Sequence, residues 1–341
     1  MKRAILWLIA LLALLNPRQE PARRPRFEEL TGPYLGQKAP GITPEVFAPG
    51  LVSTGAFDRD VAITPDGREI YFGMMGPGYA YSGVVVTRLV DGHWTEPDIV
   101  PGFEDPQYMS LEPALSADGN TLFFLSNRPD GATGGKARNQ DIWAITRTRN
   151  IWSEPRNLGA PINSDSAEYF PSTTRDGALY FTREETGGLG AIYRSRRVDG
   201  RYQQPERLPP QVNSGRSQFN AFVAPDESYL IVPVQGRPDS IGGCDYYVVF
   251  REPDDRWSEP INLGPGVNTA GSQEHSPYVS PDGKYFFFMS SRLVRPERLT
   301  YRVFREWHDR PSNGNADTWW VDASVVTSLR AKAVFGARKE Q

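Results

Sequence analysis

A short apolar run, an aspartate and a glycine recur along this chain at a nearly constant interval, and no other feature restricts the fold as strongly. The turn markers are Pro65-Asp66-Gly67, Ala117-Asp118-Gly119, Arg175-Asp176-Gly177, Pro225-Asp226-Glu227 and Pro281-Asp282-Gly283. Successive aspartates are separated by 52, 58, 50 and 56 residues. Each marker is followed by an alternating, aromatic-rich segment, as at Ile70-Tyr71-Phe72 and Leu179-Tyr180-Phe181. Asp-Gly between two such runs predicts a tight hairpin whose two central residues both take positive φ.

A second marker runs in phase with the first: Trp94-Thr95-Glu96-Pro97, Trp152-Ser153-Glu154-Pro155, Tyr202-Gln203-Gln204-Pro205 and Trp257-Ser258-Glu259-Pro260. From its aromatic residue to the next turn aspartate the spacing is 24, 24, 24 and 25 residues, whereas the forward spacing from aspartate to aromatic is 28, 34, 26 and 31. One half of the module is therefore fixed in length, and the other carries a glycine-rich loop of variable length. Four strand-like segments per unit of about 54 residues describe a β-propeller blade. A parallel β-helix needs a shorter repeat, and a sandwich has no reason to keep the phase. The chain opens on an outer-strand half-module near Ile42 and ends, after Asp317-Thr318-Trp319-Trp320, without a further Trp-x-Glu-Pro. The two halves complete one blade, so strand exchange between the termini would close the ring and leave no open sheet edge. The expectation is an all-β fold, a single propeller of five four-stranded blades. Six blades would require the insertion at residues 293–316 to hide a degenerate unit.

Composition narrows the class of function. The 38 basic and 41 acidic residues lack the basic excess of a nucleic-acid-binding surface. A single cysteine, Cys244, excludes an internal disulfide framework, and three scattered histidines argue against a His-rich metal centre. Lys2 and Arg3 precede twelve uncharged residues, 4–15, which read as the core of a secretory signal and are too short to span a bilayer. Residues 1–16 are thus read as a signal peptide or N-terminal anchor, 17–41 as a Pro/Arg-rich linker, 42–323 as the propeller, and 324–341 as a C-terminal helix and tail. That reading places the protein in the periplasm or outside the cell, with the propeller held by an anchor if the segment is not cleaved.

Pro-Asp-Gly followed by an aromatic strand, Ser126-Asn127-Arg128 or Ser290-Ser291-Arg292, and then Asp141-Ile142-Trp143 resembles the WD40-like PD40 repeat of TolB-type β-propellers. The resemblance covers roughly residues 42–321. It implies a binding scaffold of the cell envelope with a protein or glycan partner and no cofactor. The chain departs from TolB itself in its longer blades, its five-blade count and the lack of a separate N-terminal α/β domain.

Candidate polar residues cluster near the start of the inner strands: Asp58, Asp60, Glu112, Glu168, Gln218, Glu274 and His275. Asp58, Glu168, Gln218 and Glu274 share the position eight before the turn aspartate, so they could ring one mouth of the central channel and bind there. Two catalytic readings are open: a carboxylate pair of the kind that hydrolyses glycosides, drawn from Asp58, Glu112, Glu168 and Glu274, or an acid–base pair of Glu274 with His275. The alternative is structural. A residue repeated in every unit does one job everywhere, such as capping backbone N–H groups, whereas catalysis needs different groups at two or three places. A cation such as Ca2+ held by the ring is a further option. No Gly-x-Ser-x-Gly elbow is present, which excludes a prolyl-oligopeptidase-type enzyme. The Trp-x-Glu-Pro aromatics are read as inter-blade packing, and the arginines at 292, 295, 298, 302, 305 and 310 as a basic patch on the insertion.

Overall fold

The structure is a computed structural model that describes residues 26–130 and 139–336. The segment 1–16, read as a signal peptide or anchor, lies outside the described residues. The sheets form five four-stranded antiparallel blades of a β-propeller. Blade 1 runs through Phe57–Ile63, Glu69–Met75, Ser82–Val90 and Asp98–Ile99, and blade 2 through Ser110–Leu115, Thr121–Ser126, Asp141–Thr148 and Arg156–Asn157. Blade 3 uses Glu168–Thr173, Leu179–Glu185, Leu189–Ser195 and Glu206–Arg207. Blade 4 has an inner strand in two pieces, Ser217–Gln218 and Phe222–Val223, followed by Tyr229–Gln235, Asp245–Phe250 and Ile261–Asn262. Blade 5 comprises Glu274–Val279, Tyr285–Ser290 and Asp317–Asp322, and its outer strand is Glu45–Val46 from the other end of the chain.

That last pairing closes the ring. Glu45 lies opposite Trp320 and Val46 opposite Trp319. The next residue, Phe47, is fully buried, with its ring 5.0 Å from Phe287 and 5.1 Å from Trp320. The insertion at 293–316 contains a helix, Tyr301–His308, and a single isolated bridge between Leu293 and Asn313, so the described residues hold no sixth blade. Residues 27–36, part of the stretch read as a linker, do not hang free: Leu35 is buried and Tyr34 packs on Tyr285 and Trp320. Phe47→Ala removes the plug at the seam and is expected to cost about 3–5 kcal/mol. A urea denaturation midpoint equal to that of the parent would show that the seam does not limit stability.

The turns differ from the sequence expectation in one respect. In four of them only the glycine has positive φ, at 70°, 70°, 86° and 72° for Gly67, Gly119, Gly177 and Gly283. The aspartate is instead the third residue of a four-residue turn, as shown by the Gly67 amide donating to the Thr64 carbonyl at 2.8 Å. The Asp66 carboxylate accepts from the Thr64 hydroxyl at 2.6 Å and the Arg68 amide at 3.1 Å, and Ser116 and Asn120 repeat this around Asp118. Both carboxyls sit below their ordinary range: at Asp118 the Ser116 hydroxyl is the main cause, and at Asp66 the Thr64 hydroxyl and Arg68 amide outweigh an opposing effect of burial.

The fixed 24-residue step also has a physical cause. In the crossover after blades 2, 3 and 4, an asparagine brackets the third strand just left behind. Asn163 accepts from the Ile142 amide and donates to its carbonyl, both at 2.9 Å. Asn213 does the same at Ile192, and Asn268 at Tyr246. A length change here would pull these side chains off a buried backbone, so the crossover stays constant while the loops between second and third strands vary.

Candidate functional site: the central channel

Every inner strand is irregular at the same place. The residue six before each turn aspartate has positive φ: Asp60 at 61°, Glu112 at 59°, Phe170 at 50°, Asn220 at 52° and Ser276 at 57°. Strand registers shift at this point in blades 1, 2, 3 and 5. A bulge re-aims side chains, and here it turns one residue per blade toward a common centre. Glycine would suit such a conformation, yet none of the five is glycine, so the side chains are what the position retains.

Three of the five meet at Arg59, and the other two join through Glu112. The Arg59 Nε contacts the Asp60 carboxylate at 2.8 Å, and one terminal nitrogen reaches Glu112 Oε1 at 3.0 Å and Ser276 Oγ at 3.2 Å. The Ser276 hydroxyl donates to Asp60. Glu112 Oε2 accepts the Phe170 amide at 2.7 Å, and its Oε1 accepts from Asn220 at 3.3 Å. The belt takes a group from all five blades. Burial works against the Arg59 charge, but Asp60 and Glu112 outweigh it and hold the guanidinium above its ordinary value. Burial also pushes Glu112 up, to about 7, against the pull of Arg59. The positive charge at the channel centre is thus a side chain of the protein.

This belt divides the channel. On the loop side lies a cavity of about 260 Å³ walled by residues one position earlier in each strand, Arg59, Leu111, Tyr169, Phe219 and His275, with Tyr79 at its edge. Toward the turns lies a second cavity of about 230 Å³, walled chiefly by Pro65, Pro113, Pro171, Pro225, Pro277 and Tyr278. His275 is held neutral: burial first, and then the nearby Arg59 charge, lower it to about 3. Its ring packs edge-on against Phe219 with centroids 4.8 Å apart.

The residues at the minus-eight position do not join this centre. Alternation along the strand sends them to the opposite face, into the seams between blades. Asp58 accepts from the Thr54 amide at 2.6 Å and hydroxyl at 2.8 Å. Glu168 accepts from the Ser164 amide at 3.0 Å and Arg183 Nε at 2.7 Å. Gln218 accepts from the Gly215 amide and donates to the Gly190 carbonyl, both at 3.0 Å. Glu274 accepts from the hydroxyls of Thr269, Ser272 and Ser290. Glu274 and His275, being strand neighbours, point to opposite faces and form no acid–base pair. Of the seven candidates, the structure brings Asp60, Glu112 and His275 to the channel and puts the other four in the seams.

The seams are not equivalent. The amides of Glu168, Glu274 and Asp58 bond the carbonyls of Gln140, Cys244 and Ala316, which places each carboxylate beside the third-strand aspartate of the preceding blade: Asp141, Asp245 and Asp317. Arg183 offsets the charge at Glu168 and Arg292 that at Glu274. Among the described residues, no arginine stands by Asp58 and Asp317. Burial pushes Asp58 up to about 6, opposed only by Thr54, and burial together with the Asp58 charge pushes Asp317 up to about 7.

Sequence reasoning missed Phe170, Asn220 and Ser276, and the minus-seven residues other than His275. The signal was available: counting six and seven residues back from each turn aspartate, in place of eight, finds both rings.

No family model matches the chain, and no curated protein does. Solved structures similar to it include TolB from Acinetobacter baumannii, at 16% identity and a TM-score of 0.44 over 79% of this chain and 57% of that one. The chain therefore spans a little over half the length of that relative. A structure assigned as TolB from Agrobacterium tumefaciens is similar at 14% identity and a TM-score of 0.47, over 78% of this chain and 90% of that one. A puromycin-hydrolysing peptidase from Mycobacterium tuberculosis is similar at 15% identity and a TM-score of 0.39, over 71% of this chain and 36% of that one. At these values the propeller assignment rests on the strand topology of the chain itself.

Proposed function

We propose that this propeller is a non-enzymatic scaffold of the cell envelope that docks a protein partner over the loop-side mouth of its channel. The observation that carries the reading is the engagement of the candidate acids. Glu112 is tied to Arg59 and the Phe170 amide, and Asp58, Glu168 and Glu274 to hydroxyls, amides or an arginine within the seams. None of these four pairs across an open pocket as glycoside hydrolysis requires, which is why the hydrolase reading is the weaker. The loop-side mouth suits recognition: Tyr79, 55% exposed, lines a cavity with Leu111, Tyr169 and Phe219, and Tyr81, 59% exposed, follows it in the same loop. Exposed aromatics beside a hollow of mixed polar and apolar lining are what protein interfaces use as anchors. Placement in the envelope rests on the apolar segment 4–15 behind Lys2 and Arg3.

The test is capture from envelope extract with the full chain as bait. Tyr79→Ser combined with Tyr81→Ser is expected to lose the captured partner while keeping the parent's melting temperature. Hydrolytic turnover of a glycan that disappears in Glu168→Gln or Glu274→Gln, with the fold intact, would falsify the scaffold reading.

A further inference from the structure

The insertion in blade 5 is built as a fixed projection. Its base is pinched where the Val294 amide donates to the Ser312 carbonyl at 2.9 Å. Its C-terminal arm is fastened to the segment that leads into blade 1: Asn313 donates to the carbonyls of His308 at 2.8 Å and Gly55 at 3.0 Å, and Asn315 to that of Gly55 at 2.8 Å. A Cβ at Gly55 would come within 2.5 Å of the His308 carbonyl oxygen, so the fit needs glycine.

Between these fixings, the helix Tyr301–His308 has no buried residue. Helices this short are not stable in water by themselves, and this one keeps Val303 and Trp307 half-buried while two aromatic side chains face outward. Tyr301 is 80% exposed and Phe304 53%, and Leu299 and Val294 beside them are 58% and 60%. Tyr301, Phe304, Arg305 and His308 share one helix face by their spacing. Glu306 is shared by Arg302 and Arg310, whereas Arg295, Arg298 and Arg305 have no ion pair among the described residues.

We infer that this projection is a membrane-contact element that lies on an anionic lipid surface, with Tyr301 and Phe304 in the interfacial layer and Arg298 and Arg305 at the headgroups. An exposed helix that combines aromatic side chains with unpaired arginines matches the interfacial helices that bind anionic bilayers. This goes beyond docking at the channel mouth and uses none of the residues argued there.

The experiment is flotation of the full chain with phosphatidylcholine vesicles, with and without about one third phosphatidylglycerol. Binding is expected with the anionic vesicles, and it should fall about tenfold in Tyr301→Ser/Phe304→Ser and in Arg298→Glu/Arg305→Glu. All variants should keep the parent's melting temperature, since the altered side chains are exposed. Binding carried by the apolar segment 4–15 would survive both double variants, and that result would overturn the inference. So would equal binding to neutral and anionic vesicles, no binding at all, or capture of an acidic protein through these residues without vesicle binding. The assay contains no protein partner, so its failure leaves the scaffold reading intact.

Discussion

Replacing Arg59 by methionine is expected to destabilise the protein by about 3–5 kcal/mol, one of the two largest single-residue effects the structure implies. The guanidinium is the one positive group facing Asp60 and Glu112 in the belt, and all three residues are at least 95% buried. Methionine fills much of the same space but leaves two carboxylates in a site with no counter-charge. A buried carboxyl in that position neutralises by taking up a proton. Glu112, already raised to about 7 with Arg59 beside it, would rise further. The sign follows: the folded variant holds a proton that the unfolded chain releases above about pH 4, so its deficit should grow as pH rises and shrink in acid. Combining Arg59→Met with Asp60→Asn and Glu112→Gln should recover most of the loss, because an unpaired buried charge costs more than a missing pair contributes. The measurement is the denaturant midpoint of the three proteins from pH 5 to pH 8. If Arg59→Met matches the parent throughout, the belt is not what ties the five blades at their centre.

The fold was largely legible because its information is periodic. Strand alternation, the turn glycines and the 24-residue step repeat, so each instance corrects the others, and the closing blade followed from the half-modules at Ile42 and Asp317. Two kinds of feature were not legible. The first is phase at single-residue resolution: the minus-eight carboxylates stood out by residue type, yet the bulge at minus six decides which side chains face the channel. A bulge leaves little trace when its positive-φ position is Asp60, Phe170 or Ser276 in place of glycine. The second is what the repeat does not contain. The helix at Tyr301–His308 lies in an insertion without a counterpart in the other blades, and about two turns of periodicity are too few to read against a Pro- and Arg-rich background. The asymmetry of the seams was hidden for a related reason, since Arg183 and Arg292 occupy different offsets from their turns and only space brings them to equivalent carboxylates.

That asymmetry leads to the second large effect. Asp317→Asn is expected to stabilise the protein at pH 8 by on the order of 2 kcal/mol and to change little at pH 4. Asp58 and Asp317 each keep one carboxylate oxygen without a hydrogen-bond partner among the described residues, and both side chains are fully buried. Their folded pKa values lie at about 6 and 7, above the ordinary 3.8. The folded state therefore holds protons that the unfolded chain has already lost, so the seam is most stable below about pH 4 and loses that stability as pH rises through 6 and 7. Asparagine at 317 keeps an oxygen for the Ser312 amide, which now donates to Asp317 at 2.6 Å, and brings an amide that can donate to the free oxygen of Asp58. A melting-temperature profile for Asp317→Asn that runs parallel to the parent's between pH 4 and pH 8 would remove the carboxyl pair as its cause. The location gives the result its wider meaning. Blade 5 joins strands from both halves of the sequence, and among the described residues its contact with blade 1 is the one carboxylate seam without an arginine. The ring is thus weakest in charge balance at the blade it has to close by strand exchange, where the buried plug of Phe47, Phe287 and Trp320 and the hydrogen bonds between Ser53 and Thr318 offset that weakness.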